Sequence, residues 1–67
     1  MKVETKFIID NNETILIAER YPIKIYQVIE NTHQFYITNL DEVIASITLE
    51  NEDSIDIESE YKKHELL

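Results

Sequence analysis

Polar and apolar residues alternate from Lys2 to Asp10. Val3, Thr5, Phe7 and Ile9 fall on one side and Lys2, Glu4, Lys6 and Asp10 on the other, with Ile8 the exception. A period of two is the signature of a strand. Asp10-Asn11-Asn12-Glu13 interrupts it, and because the chain has no glycine, a turn needing positive φ falls to Asn or Asp. A hairpin is expected here. Thr14–Tyr21 and Ile23–Glu30 are apolar on both sides: Ile15 and Ile17 oppose Leu16 and Ala18, and Ile23, Ile25 and Ile29 oppose Tyr26 and Val28. Strands of that kind belong in the middle of a sheet, covered on both faces. Pro22, the only proline, marks a turn, a bend or the first residue of a strand between them. After Asn31-Thr32 the alternation resumes over His33–Thr38, with Phe35 and Ile37 opposite Gln34 and Tyr36, which makes a second hairpin with Ile23–Glu30.

The period changes at Asn39. Leu40, Val43, Ile44 and Ile47 sit at i, i+3, i+4 and i+7, a stripe that predicts a short amphipathic helix over 40–47. Asn39 is a favoured N-cap, Glu42 stands in a capping-box-like position, and Asp41 and Glu42 suit the positive end of the helix dipole. Ile47-Thr48-Leu49 is β-prone, so a strand over 44–50 is the alternative. Leu49–Glu58 reads as a last strand or hairpin turning at Asn51-Glu52-Asp53, with Ile55 and Ile57 buried, and residues 60–67 as a loose or helical tail.

The sum is one small domain over residues 1–67, of α+β class. It has an antiparallel sheet of four to five strands in a meander of hairpins, with one short helix packed on one face. A two-turn helix covers only one face. Ile8, Leu16, Tyr26, Val28 and Tyr36 are then left on the other, and Leu16, Tyr26, Val28 and Tyr36 form a candidate apolar interface unless the C-terminal segment folds back over them.

Charge changes this picture more than composition does. The 67 residues carry 14 acids against 6 bases, a formal charge of −8. The bases are Lys2, Lys6, Arg20, Lys24, Lys62 and Lys63, so Ile25 to Tyr61 contains neither Lys nor Arg, while Glu50–Glu60 alone holds six carboxylates. Such a surface repels nucleic acid phosphates and anionic membranes and attracts basic proteins or cations. A chain this short buries only about 60% of its unfolded surface, which favours help from self-association or a partner. Without cysteine that help is neither a disulfide nor a thiolate metal site. No run reaches the roughly 18 apolar residues of a membrane helix, and no signal-peptide pattern opens the chain. A soluble, cytoplasmic protein is expected.

Candidate chemistry is sparse. The absence of glycine removes the phosphate-cradling loops and the sharp turn of a calcium loop. His33 and His64 have no cysteine to complete a zinc site, and Ser46, Ser54 and Ser59 stand in no nucleophile context. No enzyme activity, cofactor or metal is expected. Asn51, Asp53, Asp56 and Glu58 supply hard oxygen ligands without the spacing of a calcium loop.

What remains is an acidic face: Asp41, Glu42, Glu50, Glu52, Asp53, Asp56, Glu58 and Glu60. On a strand over 54–60, Asp56, Glu58 and Glu60 would share one side at about 6.6 Å intervals, twice the strand rise. That is near every second phosphate of a DNA strand, whose repeat is roughly 3.4 Å. In size, charge and lack of catalytic motifs the chain resembles the small acidic inhibitors of phages and mobile elements, such as DNA mimics and anti-CRISPR proteins. The resemblance implies a protein that docks on the basic surface of a nucleic-acid-handling target, and it transfers no residue roles. The alternatives are an antitoxin or immunity protein neutralising a basic toxin, and a structural homo-oligomer, such as a homodimer, whose charge only keeps it soluble.

Overall fold

A computed structural model of the chain describes residues 5–50 and 53–65. Five strands, β1 (Phe7–Ile9), β2 (Asn12–Arg20), β3 (Ile23–Val28), β4 (Gln34–Asn39) and β5 (Glu42–Thr48), precede one helix, α1 (Ile57–Glu65). Every strand pairs antiparallel with the next, in the order β1-β2-β3-β4-β5, so the sheet is a meander with β1 and β5 at its edges. The sheet is curled and α1 packs against it, an α+β architecture.

Local chemistry explains two of the turns. Asp10 and Asn11 both take positive φ, at 52° and 67°, between the paired Ile9 and Asn12. That is the signature of a type I′ hairpin turn, whose twist matches the flanking strands. Leu40 and Asp41 repeat it at 51° and 66° between Asn39 and Glu42. Asp and Asn tolerate this region, whereas a leucine there is strained by roughly 1–2 kcal/mol.

The helix expected over 40–47 is therefore a turn and a strand. The reason lies in a bulge: Ile37 pairs with Ala45 and Thr38 with Val43, so Ile44 is an extra residue on β5. The bulge shifts the alternation by one. It brings Ile44, Ala45 and Ile47 onto the helix side of the sheet, while Val43 lies opposite. The expected stripe of Leu40, Val43, Ile44 and Ile47 thus combines a turn residue with residues from both faces of β5 and only imitates a helix. β2 has the same device: Leu16 pairs with Tyr26 and Ala18 with Ile25, which leaves Ile17 as the extra residue. Ile17 and Ala18 thus reach the same cluster rather than opposing each other.

The last strand or hairpin expected over Leu49–Glu58, and with it the acidic strand over 54–60, is also corrected: β5 ends at Thr48 and no described residue beyond it is in a strand. From Ile57 the chain is helical, and Asp56 is its N-cap, accepting the Ser59 amide through Oδ1 at 3.1 Å. Glu58 and Glu60 lie in the first turn and Lys62, Lys63 and His64 in the last, as the helix dipole favours. The segment 60–65 of the expected tail is helical, and of the turn expected at Asn51-Glu52-Asp53 residues 51 and 52 lie outside the described residues.

Two cores sit on opposite sides of the sheet. On the helix side Ile23, Ile25, Phe35, Ile37 and Tyr61 are buried, with Ile55 and Ile57 packed on them. Each of the fully buried isoleucines contributes roughly 1.5–3 kcal/mol. On the other side Tyr26, Val28 and Tyr36 are buried under Phe7 and Ile9. The curl brings β1 over this face: Phe7 meets Tyr26 edge-to-face at 5.2 Å, and Asn12 Nδ2 donates to Tyr36 Oη, two strands away, at 2.9 Å. The expected open patch is thus closed at Tyr26, Val28 and Tyr36 by the N-terminal strand, not by the C-terminal segment. Ile8 and Leu16 keep substantial exposure.

Candidate functional site

In a meander the β1–β2 and β3–β4 connections share one end of the sheet, and the β2–β3 and β4–β5 turns share the other. Two hydrogen bonds tie the first end together: Ile29 N–H to Glu13 O at 2.9 Å and Leu49 N–H to His33 O at 2.9 Å. Leu40 N–H to Pro22 O at 3.1 Å ties the second.

The first end gathers Asp10, Glu13, Glu30, Glu50 and Asp53, all exposed. Asp10 lies in the β1–β2 turn, Glu13 follows it at the start of β2, and Glu30 lies in the β3–β4 connection. Glu50 follows β5, and its carbonyl accepts the Asp53 amide at 3.1 Å. None of the five forms an ion pair among the described residues. The three segments that build this end, 10–13, 29–33 and 49–56, contain no Lys or Arg.

The second end is mixed in sign. Glu19, Asp41 and Glu42 stand against Arg20 and Lys24, three acids to two bases over 19–24 and 39–43. Lys24 Nζ meets Asp41 Oδ1 at 3.3 Å, and that hydrogen bond with its charge raises the lysine pKa. Arg20 pairs with Glu58 and, at 3.7 Å, with Glu65, and its guanidinium lies 4.3 Å above the Tyr61 ring. The hydrogen bond to Glu58 raises the pKa of Arg20. Burial raises that of Tyr61, with Arg20 acting in the opposite direction.

The acidic face expected from sequence is divided by these contacts. Glu50 and Asp53 belong to the unpaired end. Asp41 and Glu58 are paired at the other, Asp56 caps α1, and Glu42 is exposed beside Asp41. Glu60 is only 8% exposed and lies 3.3 Å from both Lys63 and His64. Glu52 lies outside the described residues. Asp56, Glu58 and Glu60 do not form a row, because helical rotation turns Glu60 inward. Asp10, Glu13 and Glu30 join Glu50 and Asp53 only through the pairing of strands, which no local motif announces.

A second feature lies on the β1 side of the sheet. An open groove of about 610 Å³ runs between Phe7, Ile8 and Ile9 of β1 and Val43 of β5. Tyr26 and Thr38 form its floor, and the Lys24–Asp41 pair and Asp10 supply its charge. Thr38 is 3% exposed and its hydroxyl has no hydrogen-bond partner, whereas the Thr14 hydroxyl donates to Phe7 O at 3.0 Å. Beside the groove the second end exposes apolar side chains: Tyr21 at 79%, Leu40 at 65% and Val43 at 48%.

Among the described residues no three His, Cys, Asp or Glu side chains are grouped to hold a metal, and no helix is long and apolar enough to cross a membrane. No protein-family model, curated protein or solved structure matches the chain significantly.

Proposed function

We propose that the chain is a non-catalytic binding protein whose acidic end docks on the basic surface of a protein that handles nucleic acid, and blocks it. The observation that carries this reading is the segregation of charge: five exposed carboxylates without an ion pair at one end of a small sheet. Carboxylates that only confer solubility need no such gathering. Gathered ones set up a local field that steers a basic surface and fixes its orientation. The turns and strand ends that carry them are anchored on a sheet with two cores, so little ordering is needed on contact. Asp56, Glu58 and Glu60 are assigned to the helix and its docking, not to the target.

The test is capture of basic proteins from lysate of the source cell at low and high salt, with Glu13, Glu30, Glu50 and Asp53 all changed to Lys in the control chain. A target retained at low salt, released by salt or by added duplex DNA, and lost on the quadruple reversal supports the reading. Retention that survives both salt and charge reversal overturns it.

A further inference from the structure

We infer that a hollow on the helix side of the acidic end takes a single apolar side chain from a basic segment of the target protein, one flanked by Lys or Arg. The inference rests on the reading of that end as the docking surface and adds the residue type that anchors the target. The placing of α1 leaves the hollow open. Arg20, at the second-end terminus of β2, meets both Glu58 and Glu65, so the helix is held toward that end. At the acidic end the helix-side core is covered by the approach to α1, Asp53 to Ile55, and an open hollow of about 290 Å³ remains among Ile17, Phe35, Leu49 and Ile55. Phe35 is buried, whereas Ile17, Leu49 and Ile55 are half-buried. An apolar side chain entering there completes their burial, and a filled pocket of this kind carries a large share of the energy of a protein contact.

Charge selects the occupant. The hollow is lined by Asp53 and His33 and by no Lys or Arg. Glu50 adjoins its rim, since the Asp53 amide donates to the Glu50 carbonyl at 3.1 Å, and Asp56, the cap of α1, follows two residues after Ser54. Neither Glu50 nor Asp53 forms an ion pair among the described residues. A Lys or Arg beside the anchoring side chain therefore gains a carboxylate as the apolar group enters, which fixes the orientation of the segment. The same field disfavours a nucleic acid, an anionic membrane and a second copy of a chain of −8, each of which brings like charge to an acidic rim.

Proton–nitrogen NMR titration of the whole chain with capped pentapeptides tests the inference. The probe has four lysines around a central leucine; one control replaces the leucine with serine, and another replaces the lysines with glutamates. The lysine–leucine peptide is expected to shift the amides of Ile17, Phe35, Leu49 and Ile55 and to bind about tenfold more tightly than its serine counterpart. The glutamate–leucine peptide should bind about tenfold more weakly or worse, and added salt should narrow that gap. Thr32→Trp and, separately, Ser54→Phe fill the hollow from exposed rim positions and should remove the preference for leucine. Equal binding of the leucine and serine peptides overturns the anchor and leaves the acidic end as the docking surface. A leucine preference indifferent to flanking charge overturns the basic occupant, and with it the charge reading of that end. A preference that survives both filling substitutions overturns the inference. So does the absence of any shift at millimolar peptide, whatever the capture experiment shows.

Discussion

At the acidic end of the sheet Asp10 and Asn11 occupy the two left-handed positions of a tight turn; at the opposite end the same two positions are filled by Leu40 and Asp41. The backbone geometry is nearly identical, with φ of 52° and 67° against 51° and 66°, but the chemistry is not. The first turn uses residues suited to the conformation and adds a carboxylate to a cluster of its own sign. The second accepts strain, exposes an apolar side chain and surrounds it with paired charges. One backbone solution thus supports two surfaces, and the difference between them lies in side chains that the fold itself does not demand.

If both ends belong to one cooperative unit, damage at the centre must reach them together. Ile25→Ala removes a fully buried side chain of the middle strand and is expected to lower stability by about 2–5 kcal/mol. Hydrogen exchange should then show protection falling in both turns. Protection retained at one end alone would divide the sheet into independent parts. A gentler probe exchanges the turn chemistry: Asp10→Leu should cost roughly 1–2 kcal/mol by importing the strain of the other turn. Combined with Leu40→Asn, the two effects should nearly cancel in chemical denaturation, because the two turns are remote.

The two threonines of the β1 side give a smaller contrast. Thr14→Val removes a buried hydroxyl that has a partner and should cost about 1 kcal/mol. Thr38→Val removes one without a partner and should be neutral or slightly stabilising in the same assay, because no hydrogen bond is lost. The smallest effect is in pH. The Tyr61 phenol is held above its ordinary 10.0 by burial, so the fold favours its neutral form. That contribution is complete below the unfolded pKa near 10 and is lost as pH rises through the folded value. Phenolate absorbance should show Tyr61 titrating late, with unfolding easier beyond that point.

The hairpins were legible in sequence wherever alternation and turn residues agreed, as at Asp10-Asn11 and over β3 and β4. Leu40-Asp41 was not, because leucine is no turn former and because the bulge at Ile44 converted a strand's period into a helix's. The true helix was hidden for the converse reason. Ile55 and Ile57 alternate with acids, and only Ile57 and Tyr61 mark an apolar stripe, although Asp56 before two first-turn glutamates and a basic last turn is a start-and-stop signal. Of the acids at the acidic end of the sheet, Glu50 and Asp53 stand out in the sequence by local density. Asp10, Glu13 and Glu30 come to the same end through pairings between residues distant in sequence, which periodicity does not report.

The extra residue in β5 has a consequence for how the chain behaves in a crowd of its own kind. β5 is an outer strand of seven residues with no lysine and no proline, and Glu42 is its single charge. Few of the usual obstacles to edge-to-edge growth are present. A bulge breaks the straight row of amides and carbonyls that an incoming strand would need. Deleting Ile44 would restore a regular edge and is expected to make the chain seed fibrils, detectable as a rise in thioflavin fluorescence.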